Sequence, residues 1–258
     1  MDYYNQFIRD IRRFGVTDLQ VIPSENTGGF KLVYFDNGDR TLQTLGIAGN
    51  LPFERLSRST IHALRSAKYI LLGPILNEID KEFVTELRKV SKAKLFLDPQ
   101  GLIRKVGKDG MVEKVFDKGL VKEIIELADF VKPNEFEAEI ISGVSDPVES
   151  VKIFEEWCGG SVAVVTLGER GSILAYREEV HKIPAFNTFA KDPTGAGDSY
   201  AGSFITRLLE GADLLEAAYY ASAASSIMVE YTGPDFNMTP SEVIRRMNLI
   251  KAPKASSY

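Results

Sequence analysis

An α/β fold built on a mainly parallel sheet is what this sequence predicts, and three observations predict it. From residue 60 onward, short apolar runs alternate with stretches of helical period. Ahead of them, two alternating runs flank an Asn-Gly pair. After about residue 190 only helical patterns remain. Strand–helix alternation implies parallel strands, because each helix carries the chain back to the same end of the sheet. The chain has 258 residues, 44% hydrophobic and 26% charged, which excludes disordered and fibrous proteins. Folding at this length buries roughly three quarters of the unfolded surface, enough for one large domain with an appendage or for two small ones.

Taken in order, Tyr4, Phe7, Ile8, Ile11 and Phe14 recur at helical spacing, and Gly15 closes that helix. The runs GFKLVYF and RTLQTL around Asp36-Asn37-Gly38-Asp39 form a hairpin over 28–45. YILLG is a strand followed by a helix over 79–90, LFLD a strand followed by a helix over 118–128, and DFVKP a strand followed by a helix from 134. SVAVVTLG continues the sheet, and GSILAY and VHKIPAF read as antiparallel edge strands. A helix over 195–210 presents Tyr200, Ala201, Phe204, Ile205, Leu208 and Leu209 on one face, with Gly211 as its stop. Ala217 to Val229, uncharged and rich in alanine and serine, reads as a buried helix, and GKDGMVEK (107–114) as an exposed excursion.

Composition also excludes several functions. With 36 acidic against 31 basic residues, a net charge of −5 and no long basic block, nucleic acid is not an expected partner. No apolar run approaches a membrane span, and the charged N-terminus lacks the core of a signal peptide. A cytoplasmic protein is expected, which fits the single cysteine, Cys158. His62 and His181 lie far apart without ligand-spaced companions, so no zinc site is expected.

The segment AKDPTGAGDSYAGSF (190–204) runs a glycine-rich turn into an amphipathic helix. Gly195 and Gly197 permit close approach, and the N–H groups of Gly195, Ala196 and Gly197 gather at a helix N-terminus, which is an anion site. Asp198 beside it repels phosphate, but it makes sense as a base that takes a proton from an attacking hydroxyl. In isolation GAGD also reads as a turn with Asp198 as a cap. Gly101 to Lys108 has the wrong spacing for a P-loop, and GxGxxG fails at Tyr200. Further polar residues fall at predicted strand ends, where parallel sheets place their ligands: Asp98, then Asn134, Glu135 and Glu137, then Thr166, Gly168, Glu169 and Gly171. Asn134 and Glu137 share a helix face and can present an amide and a carboxylate to magnesium-bound phosphate, or act as a cap for their own helix. TLGERG also fits a tight turn between edge strands. Asp98 and Gln100 are candidates for substrate contact, with capping of the next turn as the competing explanation.

KPNEFEAE, TLGERG and DPTGAGDSYAGSF, in this order and spacing, resemble the ribokinase-like (PfkB) family of sugar kinases. The resemblance implies a three-layer α/β/α sandwich with a mainly parallel sheet, and a small β lid that includes the hairpin over 28–45. It implies one kinase domain over 1–258, using ATP, Mg²⁺ and K⁺ to phosphorylate a sugar or cyclitol. In that pattern Asp198 is the catalytic base, and Gly195, Ala196 and Gly197 form the anion hole. Asn134 and Glu137 help place magnesium and phosphates. Thr166, Gly168, Glu169 and Gly171 line the nucleotide, and Ser222 lies near adenine. Asp192, Thr194 and Gly233 hold a monovalent cation, although Pro193 stands where members commonly have Thr. A narrower similarity, in VIPSENTGGFKLVYFDNGDRTLQTL and LDPQGLIRK, points to the short members that act on myo-inositol. Family lids often pair into dimers. Vitamin kinases of the pyridoxal or hydroxymethylpyrimidine type share the phosphate chemistry, and a nucleotide-binding regulator is the non-catalytic alternative. The family's first strand, with its sugar-binding aspartate, and its Gly-Gly motif do not precede Met1; the shortfall is on the order of 60 residues. The sheet is therefore expected to show an apolar edge.

Overall fold

The computed structural model describes residues 4–16, 18–34 and 40–252. In chain order the elements begin with α1 (Tyr4–Arg13), β1 (Gly29–Tyr34), β2 (Arg40–Gly46), α2 (Arg58–Ser66), β3 (Tyr69–Leu72), α3 (Lys81–Val90) and β4 (Lys94–Leu97). They continue with β5 (Lys105–Val106), β6 (Val112–Glu113), α4 (Lys118–Ile125), β7 (Phe130–Val131), α5 (Glu135–Ser142) and α6 (Pro147–Trp157). The last are β8 (Val162–Thr166), β9 (Ser172–Tyr176), β10 (Glu179–Ile183), α7 (Ala196–Leu209), α8 (Leu214–Met228) and α9 (Pro240–Lys251). Two compact units share them.

The first unit takes Met1–Ala67, Pro74–Ala93 and Gln100–Leu127. Strands β1 and β2 pair antiparallel with Leu32 opposite Leu42, while the Asn37-Gly38 turn lies outside the described residues. The stretch 107–114 corrects the sequence reading. Val106 pairs with Val112 in a second small hairpin, Met111 bridges to Gln43, and Thr44 N–H donates to Gly110 O at 2.8 Å. The supposed excursion thus supplies β2 with a neighbour. Helix α1 forms and ends as predicted, with Gly15 at φ 81°, yet none of its residues is buried. Periodicity made the helix; no partner covers its stripe among the described residues. In contrast, α3 buries Phe83, Val84 and Leu87, and Asp80 caps it by accepting from Phe83 N–H at 2.8 Å.

The second unit takes Lys68–Gly73, Lys94–Pro99 and Ala128–Tyr258, and it holds the whole six-stranded sheet in the order β10-β9-β8-β7-β4-β3. Strands β3, β4, β7 and β8 run parallel, and β9 and β10 complete the sheet antiparallel, as expected. On one face Phe96, Phe130, Val162, Val164 and Leu174 pack against Tyr200 and Phe204 of α7 and the alanines of α8. Phe96 and Phe130 stack at 5.5 Å, and each such buried ring contributes roughly 1.5–3 kcal/mol. Strand alternation turns Ala163 and Val165 the other way, where α6 lies against β8 and β9 with Phe154 fully buried. This unit is thus itself a helix–sheet–helix sandwich. β3 forms one side of the sheet, and its Leu71 is 43% exposed.

Candidate active site

The chemistry-bearing residues of the second unit gather where β4, β7 and β8 end, the expected crevice of a parallel sheet. Leu97 and Val131 are register partners, so the residues that follow them, Asp98 and Lys132, come side by side. Lys132 N–H donates to Leu97 O at 2.9 Å, and Pro133 restricts Lys132 to an extended backbone. The Lys132 ammonium lies 2.7 Å from Asp98 Oδ2, and both side chains are almost wholly buried.

α7 starts against this pair. Gly195 takes the left-handed conformation (φ 85°) at its N-cap and offers no side-chain cap. A Cβ on Gly197 would sit 3.2 Å from Lys132 Nζ and 3.9 Å from Asp98 Oδ2, so the helix end approaches the ion pair by its backbone. Ala196 N–H donates to Pro193 O at 3.2 Å, and Asp198, in the first turn, is exposed. Two contacts fix the helix: Tyr200 and Ser172 share a buried hydroxyl hydrogen bond at 2.9 Å, and Ser225 Oγ donates to Ala196 O at 3.1 Å.

Asn134 and Glu137 form a full capping box on α5. Asn134 Oδ1 accepts from Glu137 N–H at 2.9 Å, and Glu137 Oε2 accepts from Asn134 N–H at 3.0 Å. Glu137 is buried, and its charge reaches Lys132 together with those of Asp98 and Asp198. Burial alone lowers the Lys132 pKa, but these three carboxylates outweigh it, so the ammonium titrates above its ordinary value and stays a cation.

The TLGERG turn stands beside α5. Thr166 bridges to Asn134, Thr166 N–H donates to Pro133 O at 3.1 Å, and Arg170 pairs with Glu135. Gly171 is required: its φ is 92°, and a Cβ there would overlap Ile183 O at 2.0 Å. Gly168 and Glu169 are exposed. Asp192 Oδ1 accepts from Thr194 N–H at 2.9 Å, and the Asp192 N–H donates to Val229 O, four residues ahead of Gly233 in the chain. Ser222 is buried in α8, where its hydroxyl donates to Pro184 O at 2.8 Å. Gln100 belongs to the first unit, and its Oε1 accepts from Arg104 at 3.0 Å.

The structure therefore brings Asp98, Glu137, Gly197 and Asp198 together around one residue that the sequence reading passed over, Lys132. A lysine directly after the apolar strand pair Phe130-Val131, in DFVKP, was the signal available. Chemically, the arrangement offers an uncapped helix N-terminus to an anion, a fixed buried cation behind it, and an exposed carboxylate within the same turn.

The model of the pfkB family carbohydrate kinases matches residues 2–241. The ribokinase of Staphylococcus aureus is 35% identical over 121 residues, 45% of this chain and 40% of that one. The nucleoside kinase of Methanothermobacter thermautotrophicus is 31% identical over 189 residues, 71% of this chain and 55% of its own length. The chain thus spans about half the length of these curated relatives. Among solved structures, the Thermotoga maritima ribokinase superposes with a TM-score of 0.75 at 24% identity, covering 96% of this chain and 78% of that one. A pyrophosphate-dependent kinase of the ribokinase family, complexed with a pyrophosphate analog and myo-inositol, gives 0.75 at 19% identity, covering 95% and 82%.

Proposed function

Because this chain belongs to the pfkB family of carbohydrate kinases, we propose that it transfers the γ-phosphoryl group of ATP to a hydroxyl of a sugar or cyclitol. The observation that carries this reading is the start of α7, where an uncapped helix N-terminus and the exposed carboxylate of Asp198 share one turn. A helix built only for stability takes Ser, Thr, Asp or Asn at its cap. In this reading the N–H groups of Gly195 at the cap and Gly197 in the first turn stabilise a phosphoryl group as its charge spreads in the transition state.

In the reaction the acceptor oxygen bonds to Pγ, and the bond from Pγ to the bridging oxygen breaks. ADP leaves with that electron pair, and the hydroxyl proton passes to the Asp198 carboxylate. Asn134, Thr166, Gly168, Glu169 and Gly171 line the donor side of this reading, and Ser222 holds the chain after β10 through Pro184 O. With Asn134, Glu137 is the residue that would place Mg²⁺: its buried carboxylate is a hard oxygen donor, and the ion keeps several waters and takes one or two carboxylates. When bound, the metal supplies neutralisation of the donor's phosphate charge. Asp192, Thr194 and Gly233 are the proposed K⁺ site, and dimerisation through the β1–β2 hairpin belongs to the same reading, supported by Leu45, 72% exposed on β2.

We place myo-inositol first among acceptors, on the similarity of residues 21–45 and 97–105 to the short members of the family. The test is ADP release by the full chain with Mg-ATP and K⁺ across myo-inositol, ribose, fructose and nucleosides, with orthophosphate release measured in parallel when pyrophosphate replaces ATP as donor. Turnover of one polyol with ATP is the expected result. ATP binding with no acceptor phosphorylated by either donor contradicts the proposal.

A further inference from the structure

A buried lysine is expensive to keep charged, and this one has more carboxylates around it than an ion pair needs. Asp98 alone, at 2.7 Å, would satisfy a structural Lys132. The ammonium also lies in the field of Glu137 on α5 and Asp198 on α7, so three elements aim negative charge at one cation. Without it, three carboxylates would face the helix end where an anion has to bind, and unscreened repulsion in a buried setting acts over several ångströms. Gly197 adds the geometric half of the argument. Its missing side chain lets the first turn of α7 close onto the ammonium, with 3.2 Å left for a Cβ.

We propose that Lys132 is the fixed cation of the phosphoryl site, acting through space on the anion held at the first turn of α7, and that Asp98 is a positioning residue for Lys132 and not a contact for the substrate. This rests on the reading of α7 as a phosphoryl site, and it replaces the substrate role expected for Asp98. The strand register makes the assignment specific. Asp98 and Lys132 each follow one of two paired residues, Leu97 and Val131, so the carboxylate meets the ammonium from the side while Gly197 lies against both. Lys132 keeps its proton throughout; its contribution is charge in place before the phosphoryl group arrives.

The test uses the full chain and inorganic pyrophosphate as probe, titrated calorimetrically without an acceptor. Lys132→Met combined with Asp98→Asn removes the pair at similar volume without stranding a buried charge, a change that proteins often tolerate. The expected result is a pyrophosphate affinity at least tenfold weaker, with the thermal midpoint within about 5 °C of the parent. Affinity within twofold of the parent in the folded double variant overturns the proposal, and so does a parent that binds no pyrophosphate. Lys132→Gln with Asp98→Asn, which keeps a hydrogen bond in place of the ion pair, gives the same reading if the first variant fails to fold. The unaltered protein supplies a third: the ¹⁵Nζ resonance of Lys132 should move with the midpoint of the pyrophosphate isotherm, and a resonance that does not move overturns the assignment. No acceptor enters these titrations. Weakened binding in the variant, beside a parent that phosphorylates nothing, would leave the Lys132 assignment standing and remove the kinase reading. Turnover by the parent with unchanged variant affinity would do the reverse.

Discussion

Two helix starts in the same unit carry acidic residues in their first turns, and they use them in opposite ways. At α5, Asn134 and Glu137 satisfy each other's backbone, and Glu137 is buried. At α7, glycine stands at the cap and offers no side-chain hydrogen bond to the turn, and Asp198 is exposed. The first arrangement is what stability favours; an N-cap side chain contributes about 1 kcal/mol that α7 forgoes. A local rule broken beside a buried ion pair, where the neighbouring helix obeys it, marks the place where binding was favoured over stability.

Substitutions can break that contrast from either end. The largest effect should come from Asp198→Asn, which keeps shape and removes the base: turnover should fall on the order of 10³-fold while ATP binding and the thermal midpoint stay close to the parent. Single-turnover kinetics alongside calorimetry would separate the two. Next, Gly195→Ala forces a side chain into the left-handed region and against Met228, with 2.9 Å to its Cε. We expect a loss of about 1 kcal/mol in urea unfolding and pyrophosphate binding several-fold weaker. At the other helix, Asn134→Ala should cost about 1 kcal/mol, and Asn134→Ser, which can still cap, should restore most of it. Equal stability of the two variants would show that the capping box contributes little.

The smallest effect tests charge away from the site. Arg246 holds Glu230 below its ordinary carboxylate value, and Arg245 and Arg246 bring Glu242 down to about 2. Both carboxylates are depressed in the folded protein. Their contribution is therefore present above their ordinary 4.5 and is lost as pH falls toward about 2. Arg246→Met should flatten the fall in thermal midpoint across that window, and an unchanged slope would count against the network.

The fold was largely readable because its signals are local. Alternating strands and helices and the stops at Gly15 and Gly211 each follow from neighbours in the chain. What failed was non-local. The hairpin around Gly110 depends on Gln43 and Thr44, far away in sequence, and the stripe of α1 has a helical period with nothing buried on it. At the site, the glycine turn and Asp198 were visible as a motif, and both readings of Asn134 and Glu137 could be written down, but only coordinates show the capping box closed. Lys132 escaped because its meaning lies in register: nothing in DFVKP says that Asp98 ends the adjacent strand.

The most direct test of the contrast between the two helix starts is an amide NMR titration of the full chain with inorganic pyrophosphate. The account predicts that the Gly195 and Gly197 N–H resonances move together with the binding isotherm, while the Glu137 N–H, committed to Asn134 Oδ1 at 2.9 Å, stays in place. Shifts confined to α5, with the first turn of α7 unmoved, would contradict it.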